Sequence, residues 1–161
     1  MADRTLSLEE RVARLENVEA IKSLQAQYAA VCDDHYNPDK MVQLFTEDGV
    51  WDGTAAGLAR VQGREALRAH FAAAGEVFKW AFHLMIAPDI TVADDGQTAR
   101  GSWYLLEPAS LATDDGVQAY WLGSVYDISY ASDGGRWRFK VMAIDSRLWA
   151  PHKTGWNAAG K

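Results

Sequence analysis

The chain has 161 residues, with 16 basic and 22 acidic side chains for a net charge of −6. That length suits one domain burying roughly two thirds of its unfolded surface, and an acidic, evenly mixed surface argues against nucleic-acid or anionic-membrane partners, which call for a basic patch. The single cysteine, Cys32, excludes an internal disulfide and a cysteine-cluster metal site.

The first stretch, MADRTLSLEERVARLE, is charged and lacks an apolar h-region, so no signal peptide is expected. No run approaches the ~20 apolar residues of a membrane span, and a cytoplasmic protein is the expectation. Ser7 to Glu10 reads as a capping box opening a short helix with Leu8, Val12 and Leu15 on one face. That stripe falls out of phase with Ile21, Leu24, Tyr28 and Val31, which predicts a bend or break near Asn17. The main helix then runs to about Cys32 and ends on two carboxylates, Asp33 and Asp34. A carboxylate at the edge of an apolar pocket is suited to relaying a proton, whereas one at a solvated helix end is not. On an ideal helix Asp33 lies about 140° around from Tyr28, so the two converge only if the chain turns at Asp33. Asn37-Pro38 supplies such a turn.

Pro38 to Phe45 reads as a second short helix burying Met41, Leu44 and Phe45. Gly49–Gly53 and Gly57–Gln62 look like a small hairpin or two short strands. A helix over Gly63–Gly75 follows, with Leu67 and Phe71 on one face. From Trp80 onward the period is two, over Ala81–Val92, Thr98–Leu106, Gln118–Tyr130 and Arg136–Trp149, punctuated by Asp-Gly turns. Helices followed by a meander of long strands is an α+β pattern: a curved, mostly antiparallel sheet packed by helices on one face. Without repeats or linkers, residues 1–161 are expected to form a single domain. Residues 1–16 would be a helical extension and residues 150–161 a tail. With two tryptophans, Trp149 and Trp156, around bends at Pro151 and Gly155, the tail is expected to fold over a pocket mouth or a neighbouring subunit.

Polar residues that interrupt apolar faces mark the candidate site. Trp137, Phe139, Val141 and Ala143 share one face, which period two continues through Asp145, Arg147 and Trp149. That suggests a pocket mouth, with Asp145 and Arg147 close enough to pair, or else a strand end entering solvent. The alternate residues Met142, Ile144 and Leu148 would then point outward and suggest a homo-oligomer. His83, in WAFHLMIAP, is apolar-flanked, and its ordinary pKa near ~6.5 suits proton exchange at neutral pH. A lone histidine in such a setting is more often a satisfied core residue than a catalyst. Glu107 continues the face of Trp103 and Leu105, and Pro108 after it is expected to end the ladder or place it on an edge. None of His35, His70, His83 and His152 has metal-ligand spacing, so no metal is expected. Seven tryptophans, six tyrosines and five phenylalanines build core, and also suit an apolar small-molecule pocket.

The runs AIKSLQAQYAAVCDD, MVQLFTEDGVWDG, GREALRAHF, FHLMIAPDITV, GSWYL and DGGRWRFKVMAIDSRLW, in that order and spacing, resemble the SnoaL-like branch of the nuclear-transport-factor-2-like superfamily. The resemblance covers residues 14–149 and implies a cone-shaped α+β barrel with helices closing an apolar cavity. The pattern is most similar to the dehydratase and dehydrochlorinase group, namely bile-acid 7α-dehydratase, scytalone dehydratase and hexachlorocyclohexane dehydrochlorinase. Those enzymes pair a helix-end aspartate with a strand histidine and use no cofactor. Carried onto this chain, the resemblance implies Asp33, His83, Tyr28 and Arg147 as catalytic residues, with Glu107 standing where the bile-acid enzyme has aspartate. Trp51, Trp103, Tyr120, Asp145 and Trp149 join Glu107 as expected substrate contacts.

The expected function is a cofactor-independent lyase removing water or another leaving group from a hydrophobic cyclic molecule. His83 would be the base and Asp33 its partner, with Tyr28 on the substrate oxygen and Arg147 on developing charge. One alternative is a ketosteroid-type isomerase or polyketide cyclase using Asp33 as base. The other is a non-catalytic small-molecule-binding module. A homo-oligomer is expected, a trimer ahead of a dimer because the group resembled is often trimeric.

Overall fold

The computed structural model describes residues 6–158. Residues 1–5 of the expected N-terminal extension and 159–161 of the expected tail lie outside the described residues. The element order is α1 (Leu8–Asp33), α2 (Pro38–Met41), β1 (Phe45–Asp52), β2 (Arg60–Gln62), α3 (Arg64–Val77), β3 (Phe78–Ala81), β4 (Leu84–Val92), β5 (Thr98–Thr113), β6 (Gly116–Asp133) and β7 (Arg136–Pro151). This is the expected α+β architecture. One curved seven-stranded sheet runs β2-β1-β7-β6-β5-β3, with β4 also on β5, and all pairs except β1–β7 are antiparallel. Among the described residues no helix is long and apolar enough to cross a membrane.

The Ser7–Glu10 capping box is present and starts α1, but the helix does not break near Asn17. Leu8, Val12 and Leu15 are exposed, so the first turns project past the core and their stripe has no packing to satisfy. Asn17 accepts a hydrogen bond from the Trp137 indole at 3.0 Å, which ties the helix to β7 instead of interrupting it. From Ile21 onward the stripe Ile21, Leu24, Tyr28 and Val31 is buried against the sheet together with Met41, Phe45, Phe71 and Phe139.

Two strands correct the period-two reading. In β7 the register against β6 slips between Phe139 and Val141 and again between Ser146 and Leu148, leaving Lys140 and Arg147 as extra residues. Each bulge flips the face of everything beyond it and sharpens the local bend. Met142 and Ile144 therefore face the interior, and Asp145 and Arg147 the outside. The reasoning from an outward Met142 and Ile144 to an oligomer is overturned. The apolar outer surface lies instead on β4 and β5, where Leu84 pairs with Leu106 and Ile86 with Tyr104, all four exposed.

The second correction concerns β5, which does not end at Pro108 but runs on to Thr113. On its outer side β4 stops pairing at Leu106 and β3 starts at Ala109, so Pro108 sits where no ladder bond is needed from its nitrogen. Its carbonyl still accepts from the Phe82 amide at 3.1 Å.

Candidate active site

The gap between β3 and β4 is what frees His83. Because the edge strand breaks at Phe82-His83, the His83 backbone amide turns away from the sheet and donates to Asp33 Oδ1 at 3.0 Å. The imidazole Nδ1 meets the same oxygen at 2.8 Å. A carboxylate accepts only, so Nδ1 carries a hydrogen and Nε2 is the atom left for chemistry. Asp33 is positioned because α1 ends there, while Asp34 points outward to Lys40 at 2.7 Å. Of the two adjacent carboxylates, Asp33 is the inward one.

Nε2 faces two further groups. The Tyr36 hydroxyl lies at 3.2 Å and Glu107 Oε2 at 3.5 Å. Tyr36 is the residue that sequence reasoning missed. It reaches back because His35 and Tyr36 both adopt φ near +54°, a left-handed pair without glycine, right after the helix. Such a conformation is costly for a tyrosine, and the Asn37-Pro38 signal gave only a turn, not its direction. The turn packs against Gly75 of α3, where a Cβ would stand 2.7 Å from the His35 carbonyl oxygen. Gly75→Ala gains about 1 kcal/mol of helix propensity against an overpacking cost of about 1–3 kcal/mol. The expected result is a lower Tm and a displaced Tyr36, read by thermal unfolding and by near-ultraviolet circular dichroism of the folded variant.

Burial opposes a charge on His83, but Cys32, Asp33 and Glu107 around it outweigh burial and raise its pKa to about 10. Burial pushes the Cys32 thiol up, so near neutral pH the carboxylates are the partners that matter. Glu107 is also pushed up by burial, against the pull of His83, and its Oε1 is buried with no hydrogen-bond partner. Burial likewise raises the hydroxyls of Tyr28 and Tyr36, which stay protonated donors. The folded pKa of His83 exceeds the ~6.5 of an unfolded histidine. Its bound proton therefore stabilises the fold fully below about pH 6.5, and that contribution is lost as pH rises through about 10. Urea unfolding should show stability falling across that window, with a flatter profile in His83→Phe.

Beside these groups is a cavity of about 420 Å³, walled by α1, α3 and the concave face of the sheet. The register sets a grid of side chains on its floor. Glu107, Leu122 and Trp149 form one row across β5, β6 and β7; Leu105, Ser124 and Ser146 the next; and Trp103, Tyr126 and Ile144 the third. All of these except Trp103 line the cavity, together with Tyr28, Tyr36, Trp51, His70, Phe71, Phe78 and His83. Among the described residues no group of three or more His, Cys, Asp or Glu is arranged to hold a metal ion.

The expected site residues divide accordingly. Tyr28, Trp51, His83, Glu107 and Trp149 line the cavity, and Asp33 holds His83 from behind. Trp103 is packed in the core and donates its indole N–H to Tyr130 at 2.9 Å. Tyr120 packs edge-on against Trp149 without reaching the cavity. Asp145 and Arg147 do pair, at 2.5 Å, but on the exposed face, because the bulges turned them there. Beyond Trp149 the tail leaves the pocket. His152 accepts from the Trp121 indole at 3.0 Å and Trp156 packs on Trp121, whose neighbour Leu122 is the inward residue. The expected cover over the pocket mouth is thus replaced by a strap on the outer sheet face.

A family model for the SnoaL-like domain matches residues 13–143. No curated protein gives a significant match. Among solved structures, a protein assigned as an aromatic-ring hydroxylase from Novosphingobium aromaticivorans superposes with TM-score 0.74 at 21% identity, covering 97% of this chain and 100% of that one. A hexachlorocyclohexane dehydrochlorinase, LinA-type3 from Novosphingobium barchaimii LL02, gives TM-score 0.76 at 17% identity over 88% of this chain and 93% of that one. A protein assigned as a scytalone dehydratase from Novosphingobium aromaticivorans gives 0.75 at 18% identity over 88% and 91%. At these identities the likeness is one of fold, shared by proteins named for different reactions.

Proposed function

The chain belongs to the SnoaL-like domain family, and from that premise and the His83 geometry we propose that it is a cofactor-independent lyase acting on a hydrophobic cyclic small molecule. The observation that carries the reading is a histidine held by an aspartate through Nδ1, with Nε2 turned to a buried acid beside an apolar cavity.

His83 with a raised pKa would be a poor base if it simply carried its proton. Glu107, however, is also raised and lies 3.5 Å away, and in the proposed scheme the two share one proton. An imidazolium facing a carboxylate and a neutral imidazole facing a carboxylic acid contain the same number of protons. An apolar substrate that excludes water favours the neutral pair, because it leaves less charge desolvated. In that form Nε2 removes a proton from the substrate carbon, and the C–H electron pair becomes the new double bond. The bond to the leaving group breaks at the adjacent carbon, its pair stays on the leaving atom, and Glu107 supplies the proton that makes it water or acid. Tyr36 or Tyr28 donates to the leaving or carbonyl oxygen. The site is left as imidazolium and carboxylate, and passing the proton back from Nε2 to Glu107 resets it without bulk solvent. Arg147, on the outer face, has no part in this scheme.

The test is a panel of hydroxylated and halogenated ring compounds incubated with the protein and no added cofactor, with products read by mass spectrometry. A product lighter by water or hydrogen halide is expected. A product of unchanged mass identifies an isomerase or cyclase, and retention of compounds without any product identifies a binding module.

A further inference from the structure

The floor grid holds two hydroxyls that the elimination scheme does not use. Ser124 on β6 and Ser146 on β7 are register partners, so their side chains stand together on the same, inward face, and both line the cavity. Ser124 is only 8% exposed. In the rows beside them the members other than Tyr126 and Glu107 are Leu122, Trp149, Trp103 and Ile144, so the two hydroxyls stand out as polar groups on a largely apolar floor. The Lys140 bulge sets the phase that turns Ser146 inward, and the Arg147 bulge immediately beyond it ends that phase.

We propose that Ser124 and Ser146 form a second polar subsite that binds an oxygen substituent on the far ring of an uncharged, oxygenated fused-ring ligand, whose near end lies at His83 and Glu107. The spacing sets the ligand's length. Glu107 and Ser124 are diagonal neighbours on adjacent strands, which places them about 7–8 Å apart. A molecule of two fused six-membered rings with oxygens at opposite ends is of a size to span that backbone spacing. The charge of the ligand follows from the lining, in which His83 and Glu107 offset each other and no lysine or arginine is left to balance a carboxylate or phosphate. Paired hydroxyls donate and accept, so a hydroxyl and a carbonyl are both accommodated. The subsite deepens the reading of the cavity as a substrate site and rests on it, but its recognition is separable from catalysis.

Calorimetric titration of the full chain with 2,6-dihydroxynaphthalene and with 2-naphthol tests it. The wild type should bind the diol more tightly. Ser124→Ala and Ser146→Ala should each weaken the diol roughly 3- to 10-fold, the worth of one neutral hydrogen bond, and leave 2-naphthol unchanged. The 2-naphthol titration also reports whether each variant keeps its cavity. Equal binding of the two compounds by the wild type, no binding of the diol, or variants that lose neither or both together would overturn the subsite. A wild type that prefers the diol yet eliminates nothing from any ring compound would instead remove the lyase reading and leave the subsite standing.

Discussion

Replacing His83 by alanine or Asp33 by asparagine is expected to lower turnover by at least about 10²-fold each, the usual contribution of a positioned base. The double variant should be scarcely worse than the more severe single one. The reason lies in the shared oxygen: Asp33 Oδ1 receives both the backbone amide and Nδ1 of His83, so its only route to the substrate is through that ring. Groups that act as one unit do not add. Steady-state kinetics of the three variants measures this, with the folded fraction checked by circular dichroism. Activity largely kept in His83→Ala but lost in Asp33→Asn would assign proton transfer to the aspartate alone.

Glu107→Gln carries the second large effect, in size and in the shape of the pH profile. Glutamine keeps the volume but cannot release a proton, so turnover with a hydroxyl leaving group should fall about 10²-fold or more. In the proposed scheme the productive form of the wild type holds one proton shared by His83 and Glu107. Activity should decline as that proton leaves, near the raised His83 pKa of about 10. In Glu107→Gln the carboxylate that helps to raise His83 is gone, so the histidine loses its proton at lower pH. The active form then needs no shared proton, and the alkaline decline should vanish. Profiles of kcat/KM from pH 6 to 11 read both effects. An unchanged alkaline limb in the variant would show that Glu107 and His83 do not share the proton. A halide leaving group, which needs no proton, should be hurt far less than a hydroxyl.

Much of this site was legible because ionisable residues interrupted apolar stripes. Asp33 closed the stripe of α1, His83 broke an apolar strand, and Glu107 extended the inward face of Trp103 and Leu105. The parts that were not legible are those where backbone geometry departs from its period without a residue to announce it. The bulges at Lys140 and Arg147 exchange the faces of β7, so Asp145 and Arg147 went outside and Ile144 and Ser146 came in. Nothing in FKVMAIDSRLW marks either slip, since no glycine or proline stands there. Tyr36 escaped notice for the same kind of reason, its left-handed φ falling on residues that seldom adopt it. Pro108 misled in the opposite direction. A proline is expected at an edge, and this one occupies a local gap beside an otherwise central strand. That gap is also what releases the His83 amide to Asp33, so the feature that spoiled the strand assignment is the one that builds the site.

The central claim, that Nε2 of His83 removes a carbon-bound proton in an elimination, is tested most directly with a substrate whose transferable hydrogen, on the carbon next to the one that bears the leaving group, is replaced by deuterium. The account predicts slower turnover than with the unlabelled compound, an alkene product free of the label, and deuterium recovered in the solvent. Label retained in the product at a new position would show that the proton is shuttled within the substrate, and would contradict elimination.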